Sequence, residues 1–137
     1  MAELLRVGLI GESFVEVTAD MCADAVGSGS LPVYATPSLV ALLEAAACAA
    51  IEDCIDAGRT TVGIEINIKH LSATPVGERV TAMAEVTRIE GKRIIFEVRA
   101  WDEHELVATG NHSRYLIDAE AFMSRLQYKD APSTDAS

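Results

Sequence analysis

A chain of 137 residues with a formal charge of -10 at pH 7, half of it hydrophobic and 5% aromatic, is sized for one domain. Folding buries roughly two-thirds of the surface of such a chain, enough for one core without staples, and the apolar content argues against disorder. Eleven Lys and Arg against 21 Asp and Glu leave no cationic surplus for phosphate backbones, which excludes nucleic acid as an expected partner.

Residues 12–18 alternate as a strand, with Phe14 set apart from Val15 and Val17. Residues 21–33 carry Gly27, Ser28, Gly29, Ser30 and Pro32 and read as a mobile connecting loop. Thr36-Pro37 is a helix start, a hydroxyl N-cap followed by proline at the first helical position. From Ser38 to about Ala57 the chain is nearly all Ala, Leu, Val and Ile, with Glu44 the only charge before Glu52. A helix apolar on every side must be buried on every side, by a sheet curling around it or with the help of a second subunit. Gly58 then fits its C-terminal cap.

Beyond Gly58 the period becomes two: Ile64, Ile66, Ile68 and His70 point one way, and Glu65, Asn67 and Lys69 the other. Pro75-Val76-Gly77 breaks this run. Strands are predicted over 79–89, 93–101 and 105–117, with a hairpin at Glu90-Gly91-Lys92. Asp118 caps a short closing helix through Leu126, and a polar tail follows from Lys129.

The order is therefore a strand, a long helix, then four strands in an antiparallel meander. A sheet of about five strands curling around one buried helix is the hotdog arrangement, an α+β fold. The domain is predicted over residues 1–128 and a flexible tail over 129–137. Exposed sheet edges favour pairing with a second copy. Cys22, Cys48 and Cys54 fit neither a zinc site nor a disulfide scaffold, so reduced thiols in a cytoplasmic protein without a metal are expected. Glu3 and Arg6 interrupt the only apolar start, and the apolar run near 39–51 is too short to span a bilayer, so neither a signal peptide nor a membrane partner is expected.

Glu44 stands among Leu42, Leu43, Ala45, Ala46, Ala47 and Cys48, a setting that desolvates its carboxylate. It is either a structural acid facing a gap or interface, or a nucleophile or general base. His70 shares the parity of the isoleucines and faces the helix, as a satisfied core residue or as an acid-base partner of Glu44. Thr36 serves as a cap, or brings a hydroxyl to the helix N-terminus where an oxyanion would be favoured. Gly63 and Gly110 mark a bulge or a close backbone approach within strands, where a substrate could be the neighbour. Arg114 is either a surface ion pair or an anchor over a site. His104 and His112 read as structural or exposed, and Arg88, Lys92 and Arg93 as solvated points beside the hairpin.

These residues carry a resemblance. YATPSLVALLE (34–44), GIEINIKHLSATPVG (63–77) and GNHSR (110–114) resemble motifs of the fluoroacetyl-CoA thioesterase-like family of hotdog enzymes, over roughly residues 8–128. The resemblance implies hydrolysis of an acyl-CoA thioester by a Thr-Glu-His group, here Thr36, Glu44 and His70. It implies Gly63 beside the acyl group, Arg114 over the pocket, homodimers with sites near the subunit interface (with tetramers open), and no cofactor beyond the coenzyme A of the substrate. Members selective for the fluorinated substrate carry aromatic residues before the central helix; this chain has Gly27-Ser28-Gly29-Ser30-Leu31-Pro32, which implies another small acyl group. Two other functions fit such a fold: a non-catalytic acyl-CoA-binding module, and an enoyl-CoA hydratase or dehydratase. The latter needs an Asp and a His close together ahead of the helix, and no such pair precedes Thr36.

Overall fold

The computed structural model describes residues 4–130. Strand β1 (Ile10–Glu16) leads through a short 3-10 helix (Ala19–Met21) and the single turn α1 (Ala23–Val26) to the long helix α2 (Thr36–Ile51). Strands β2 (Arg59–His70), β3 (Arg79–Glu90), β4 (Arg93–Trp101) and β5 (Leu106–Asp118) follow, and helix α3 (Ala119–Arg125) and a 3-10 turn (Leu126–Lys129) close the described chain. Asp118 caps α3 as expected, its side chain accepting from the Ala121 N–H at 3.0 Å. The predicted tail lies outside the described residues from position 131 onward.

All five strands pair antiparallel in the order β1-β3-β4-β5-β2. The expected four-strand meander holds only for β3-β4-β5. Strand β2 crosses to the far edge and pairs with β5. The segment after His70 explains this: it runs beside the chain before α2, where Tyr34 N donates to Thr74 O at 2.9 Å and Gly77 N to Val17 O at 2.9 Å. A hairpin from β2 into β3 is thereby excluded, and β3 begins against β1 instead.

Leu39, Leu43, Ala46, Ala47 and Ile51 of α2 bury against Val80, Ala82, Ala84, Ile94, Phe96 and Val98 of the sheet. Each fully buried large aliphatic side chain contributes about 1.5–3 kcal/mol. Gly11 lets the helix sit directly on β1, for a Cβ there would lie 2.2 Å from the Ala50 backbone nitrogen. Burial of α2 is nevertheless one-sided. Pro37, Ala41, Ala45 and Cys48 form an exposed stripe, so the expected all-round burial is not met within one chain. Other boundaries also differ. Ala35, not Thr36, is the N-cap, and no side chain caps it. The α-helix stops at Ile51, ahead of Glu52 and Asp53, whose carboxylates oppose the dipole at a helix C-terminus. Gly58, at φ 85°, serves the turn into β2 instead. The loop over 21–33 holds α1, closed by left-handed Gly27, and is tied down by Ala23 N donating to Val33 O at 2.9 Å.

A β-bulge between Gly63 and Glu65 decides which residues share the helix-facing side. Ile66, Ile68 and His70 pair with His112, Gly110 and Ala108, while Gly63 pairs with Arg114 and Thr61 with Leu116. The extra residue, Ile64, is half exposed instead of facing the helix with Ile66. Thr61 and Gly63 therefore stand on the same face as His70 despite their odd spacing from it.

Candidate functional site

Two polar groups lie along α2. At its start, Thr36 occupies the first helical turn with its hydroxyl unused by capping, and Oγ1 hydrogen-bonds His70 Nδ1 at 2.8 Å. His70, at the end of β2, is half-buried, and its Nε2 is buried without a partner among the described residues. Burial pushes the imidazole below its ordinary 6.5, against an opposing effect of the Ser72 backbone, so the ring is neutral at pH 7. Both side chains line a cavity of about 280 Å³ whose wall includes Ser28, Tyr34, Leu71 and Ser72. The helix N-terminus beside it leaves N–H groups outside the intrahelical ladder, which suits a developing negative charge.

The second group surrounds Glu44, two turns further on. Its Oε2 accepts from Arg114 Nη1 at 3.1 Å and lies 3.9 Å from His112 Nε2. The Glu44 side chain is 38% exposed, so it is neither stranded in the core nor desolvated as expected: it lies at the rim of the open helix stripe. Arg114 is buried, with its Nε donating to Thr61 Oγ1 at 2.9 Å and Nη2 to Thr61 O at 3.1 Å. It is thus no surface ion pair; the strand opposite holds one edge of the guanidinium. Gly63 makes room for this pair, since a Cβ there would lie 2.4 Å from Glu44 Oε2. Gly110 has a different cause: its close neighbour is the Asn67 carbonyl of β2, where a Cβ would lie 2.1 Å away, and not a substrate.

The sequence reading is thus met in two halves. Thr36 and His70 come together, as do Glu44, Gly63 and Arg114. Eight helical steps lead from Thr36 to Glu44, about 12 Å of rise, and His70 is bonded to the former. The expected reach of His70 to Glu44 is therefore absent within one chain. His112, read as structural or exposed, instead packs fully buried beside the Glu44–Arg114 pair. Its position two residues before Arg114, on the same strand face, was the available signal. Arg93, read as solvated, pairs with Glu65 at 3.2 Å, and Arg88 with Glu90.

A family model described as fluoroacetyl-CoA-specific thioesterase matches residues 17–120. The fluoroacetyl-CoA thioesterase of Streptantibioticus cattleyicolor is 34% identical over 97 residues, covering 71% of this chain and 70% of that protein. A solved structure of a fluoroacetyl-CoA thioesterase superposes with a TM-score of 0.87 at 29% identity, covering 95% of this chain and all of that one. A thioesterase-superfamily member from Thermus thermophilus gives 0.82 at 26% identity over 90% and 94% of the two chains. No helix among the described residues is long and apolar enough to cross a membrane. With its curled five-stranded sheet and central helix, this chain belongs to the fluoroacetyl-CoA-specific thioesterase family and is a thioester hydrolase on the hotdog fold.

Proposed function

We propose that the chain hydrolyses small acyl-CoA thioesters, with Thr36, Glu44 and His70 as the catalytic group and with Gly63 and Arg114 shaping it. The observation that carries this reading is the Thr36–His70 hydrogen bond at the mouth of the 280 Å³ cavity, beside the start of α2. A thioester carbonyl seated there meets the free helix N–H groups, with the Thr36 hydroxyl donating to His70 Nδ1 beside it, and one oxyanion donor contributes about 3–4 kcal/mol. Glu44 attacks the carbonyl carbon, or activates a water that does. His70 orients Glu44 and relays to the departing thiolate the proton that the consumed water gives up, so the neutral ring ends as it began. Overall the C–S bond breaks, one water is consumed, and a carboxylic acid and the free thiol of coenzyme A form. General acid-base help of this type supplies about 10²- to 10⁴-fold.

The 12 Å gap between the halves calls for a homodimer. A two-fold axis reverses the second helix and sets Glu44 of the partner subunit opposite Thr36 and His70. The unpartnered Nε2 of His70 is then the donor that this carboxylate needs, and the exposed stripe of α2 is the surface that is covered. Ser28 in the cavity wall, with no aromatic over residues 27–32, supports a small acyl group without selectivity for fluoroacetyl. A protein structurally similar to this chain has been solved as a variant in complex with acetyl-CoA.

The test is thiol release from a panel of acyl-CoAs. Glu44→Gln and His70→Ala each lose more than tenfold in turnover. Mixing the two inactive chains returns about a quarter of wild-type activity, because half the dimers are mixed and each holds one intact site of two. Failure to complement would place the whole site within one chain. Flat traces with clear thermal stabilisation by coenzyme A would leave a binding module instead.

A further inference from the structure

The buried histidine behind the Glu44–Arg114 pair has no part in the reaction described so far. His112 is 1% exposed, covered on one side by the Phe96 ring at 5.9 Å between centroids. Its Nδ1 lies 2.7 Å from the Glu65 carbonyl oxygen, which can only accept, so Nδ1 carries the proton. Burial, joined by the Arg114 charge, holds the ring below its ordinary 6.5 against the Glu65 carbonyl and the Glu44 carboxylate, which favour the imidazolium. Nε2 is then a bare lone pair, and Arg114 Nη1 stands 3.2 Å from it. That nitrogen carries two hydrogens, one for His112 Nε2 and one for Glu44 Oε2.

We infer that His112 is a positioning residue for the thioesterase reaction: its Nε2 lone pair, set by the Glu65 carbonyl, holds Arg114 so that Nη1 fixes the Glu44 carboxylate. The inference rests on Glu44 acting in catalysis. The chain of contacts runs from the β2 backbone through a β5 histidine and arginine to the one acid of α2. Thr61 holds the other edge of the same guanidinium through Nε and Nη2. Without His112, Arg114 stays bonded to Thr61 but Nη1 loses the partner that aims it. A residue so buried touches no acyl-CoA. Its loss therefore falls on kcat, with KM little changed.

The experiment compares wild type, Glu44→Gln, His112→Phe, His112→Gln, Arg114→Met and the His112→Phe, Arg114→Met double variant. His112→Phe keeps the ring packed on Phe96 and lowers kcat tenfold or more, with KM within about twofold. His112→Gln offers Oε1 near the place of Nε2 and recovers most of that loss. In the Arg114→Met background, His112→Phe costs nothing further, because the route through the guanidinium is already cut. Long-range ¹H–¹⁵N spectra of wild type show His112 protonated at Nδ1 and bare at Nε2. An inactive Glu44→Gln beside a folded His112→Phe with wild-type kcat overturns the role of His112 alone. Full activity in Glu44→Gln removes the reading beneath it. Should the Phe variant not fold, the Gln variant and the spectrum decide, and an Nε2–H or doubly protonated His112 at neutral pH overturns the inference.

Discussion

Gly63→Ala separates the site from the fold more cleanly than truncation of any catalytic side chain. The added Cβ would stand 2.4 Å from Glu44 Oε2, and 3.3 Å from both Arg114 Nη1 and His112 Cε1. Ordinary C···O contact begins near 3.3 Å, so the carboxylate has to retreat by about 1 Å. Its bond to Arg114 is 3.1 Å, close to the outer edge of a good hydrogen bond, and does not survive that displacement. The moving group is the end of a flexible side chain, 38% exposed, so the fold loses little. Arg114 keeps its bonds to Thr61, so losing the one hydrogen bond to Glu44 costs about 1 kcal/mol. Misplacing a reacting group by 1 Å, however, costs on the order of 10²-fold in rate. We therefore expect kcat for the best acyl-CoA to fall about 100-fold, with a melting temperature within a few degrees of wild type. Thiol release at saturating substrate and a thermal melt of the same preparation measure both quantities. Wild-type kcat in a folded Gly63→Ala protein would refute the claim that the placement of Glu44 over this backbone matters.

Gly11→Ala is the opposite case: its Cβ meets the Ala50 and Ala46 backbone at 2.2 and 2.4 Å, neither of which can swing aside, so stability falls by about 2 kcal/mol or more in a denaturant titration. Thr36→Val removes the hydroxyl bonded to His70 but no helix cap, since Ala35 occupies that position; its melting temperature stays near wild type while turnover falls, whereas a true cap would cost about 1 kcal/mol. His70 and His112 both titrate below their ordinary 6.5 because burial disfavours imidazolium. As pH falls the unfolded chain takes up these protons first, so the contribution is intact above about pH 6.5 and is lost as pH drops toward the lowered folded values. Melts between about pH 8 and pH 5 show this decline, and His112→Phe makes it shallower; identical pH slopes would rule it out.

What was legible in the sequence was local. Strand β4 runs over Arg93–Trp101 as its alternation predicts, Gly91 closes the hairpin at φ 62°, and Asp118 caps α3. Each depends on residues within a few positions of one another. What was missed depends on pairing across the sheet. Parity counting has no term for the bulge at Ile64, so it set Ile64 on the helix-facing side with Ile66 and His70. The crossing of β2 to β5 is decided by the tie between residues 71–78 and the chain before α2, which no periodicity records. His112 was marked only by standing two residues before Arg114; its importance arises because β5 sets it between the Glu65 carbonyl and Arg114. Thr36 was placed at the right end of the right helix, as a cap or as a hydroxyl beside an oxyanion; of these the cap falls away, since Ala35 is the N-cap and the hydroxyl bonds to His70.

The composition of α2 makes one more demand on the proposed dimer. Thr36, Val40 and Glu44 recur every four residues and share one stripe. A two-fold axis that sets Thr36 of one chain against Glu44 of its partner passes midway between those positions, at Val40, which then faces its own copy. Ala41 and Ala45 flank it, small enough for two backbones to approach closely. Val40 is only half-buried in the single chain, so Val40→Asp costs the monomer little, yet it sets two carboxylates side by side on the axis. Sedimentation should then show monomers, and turnover should vanish although Thr36, Glu44 and His70 are untouched. A monomeric Val40→Asp protein with full activity would mean that one chain closes the 12 Å gap by itself. A dimeric and active one would move the axis off this helix and take the shared site with it.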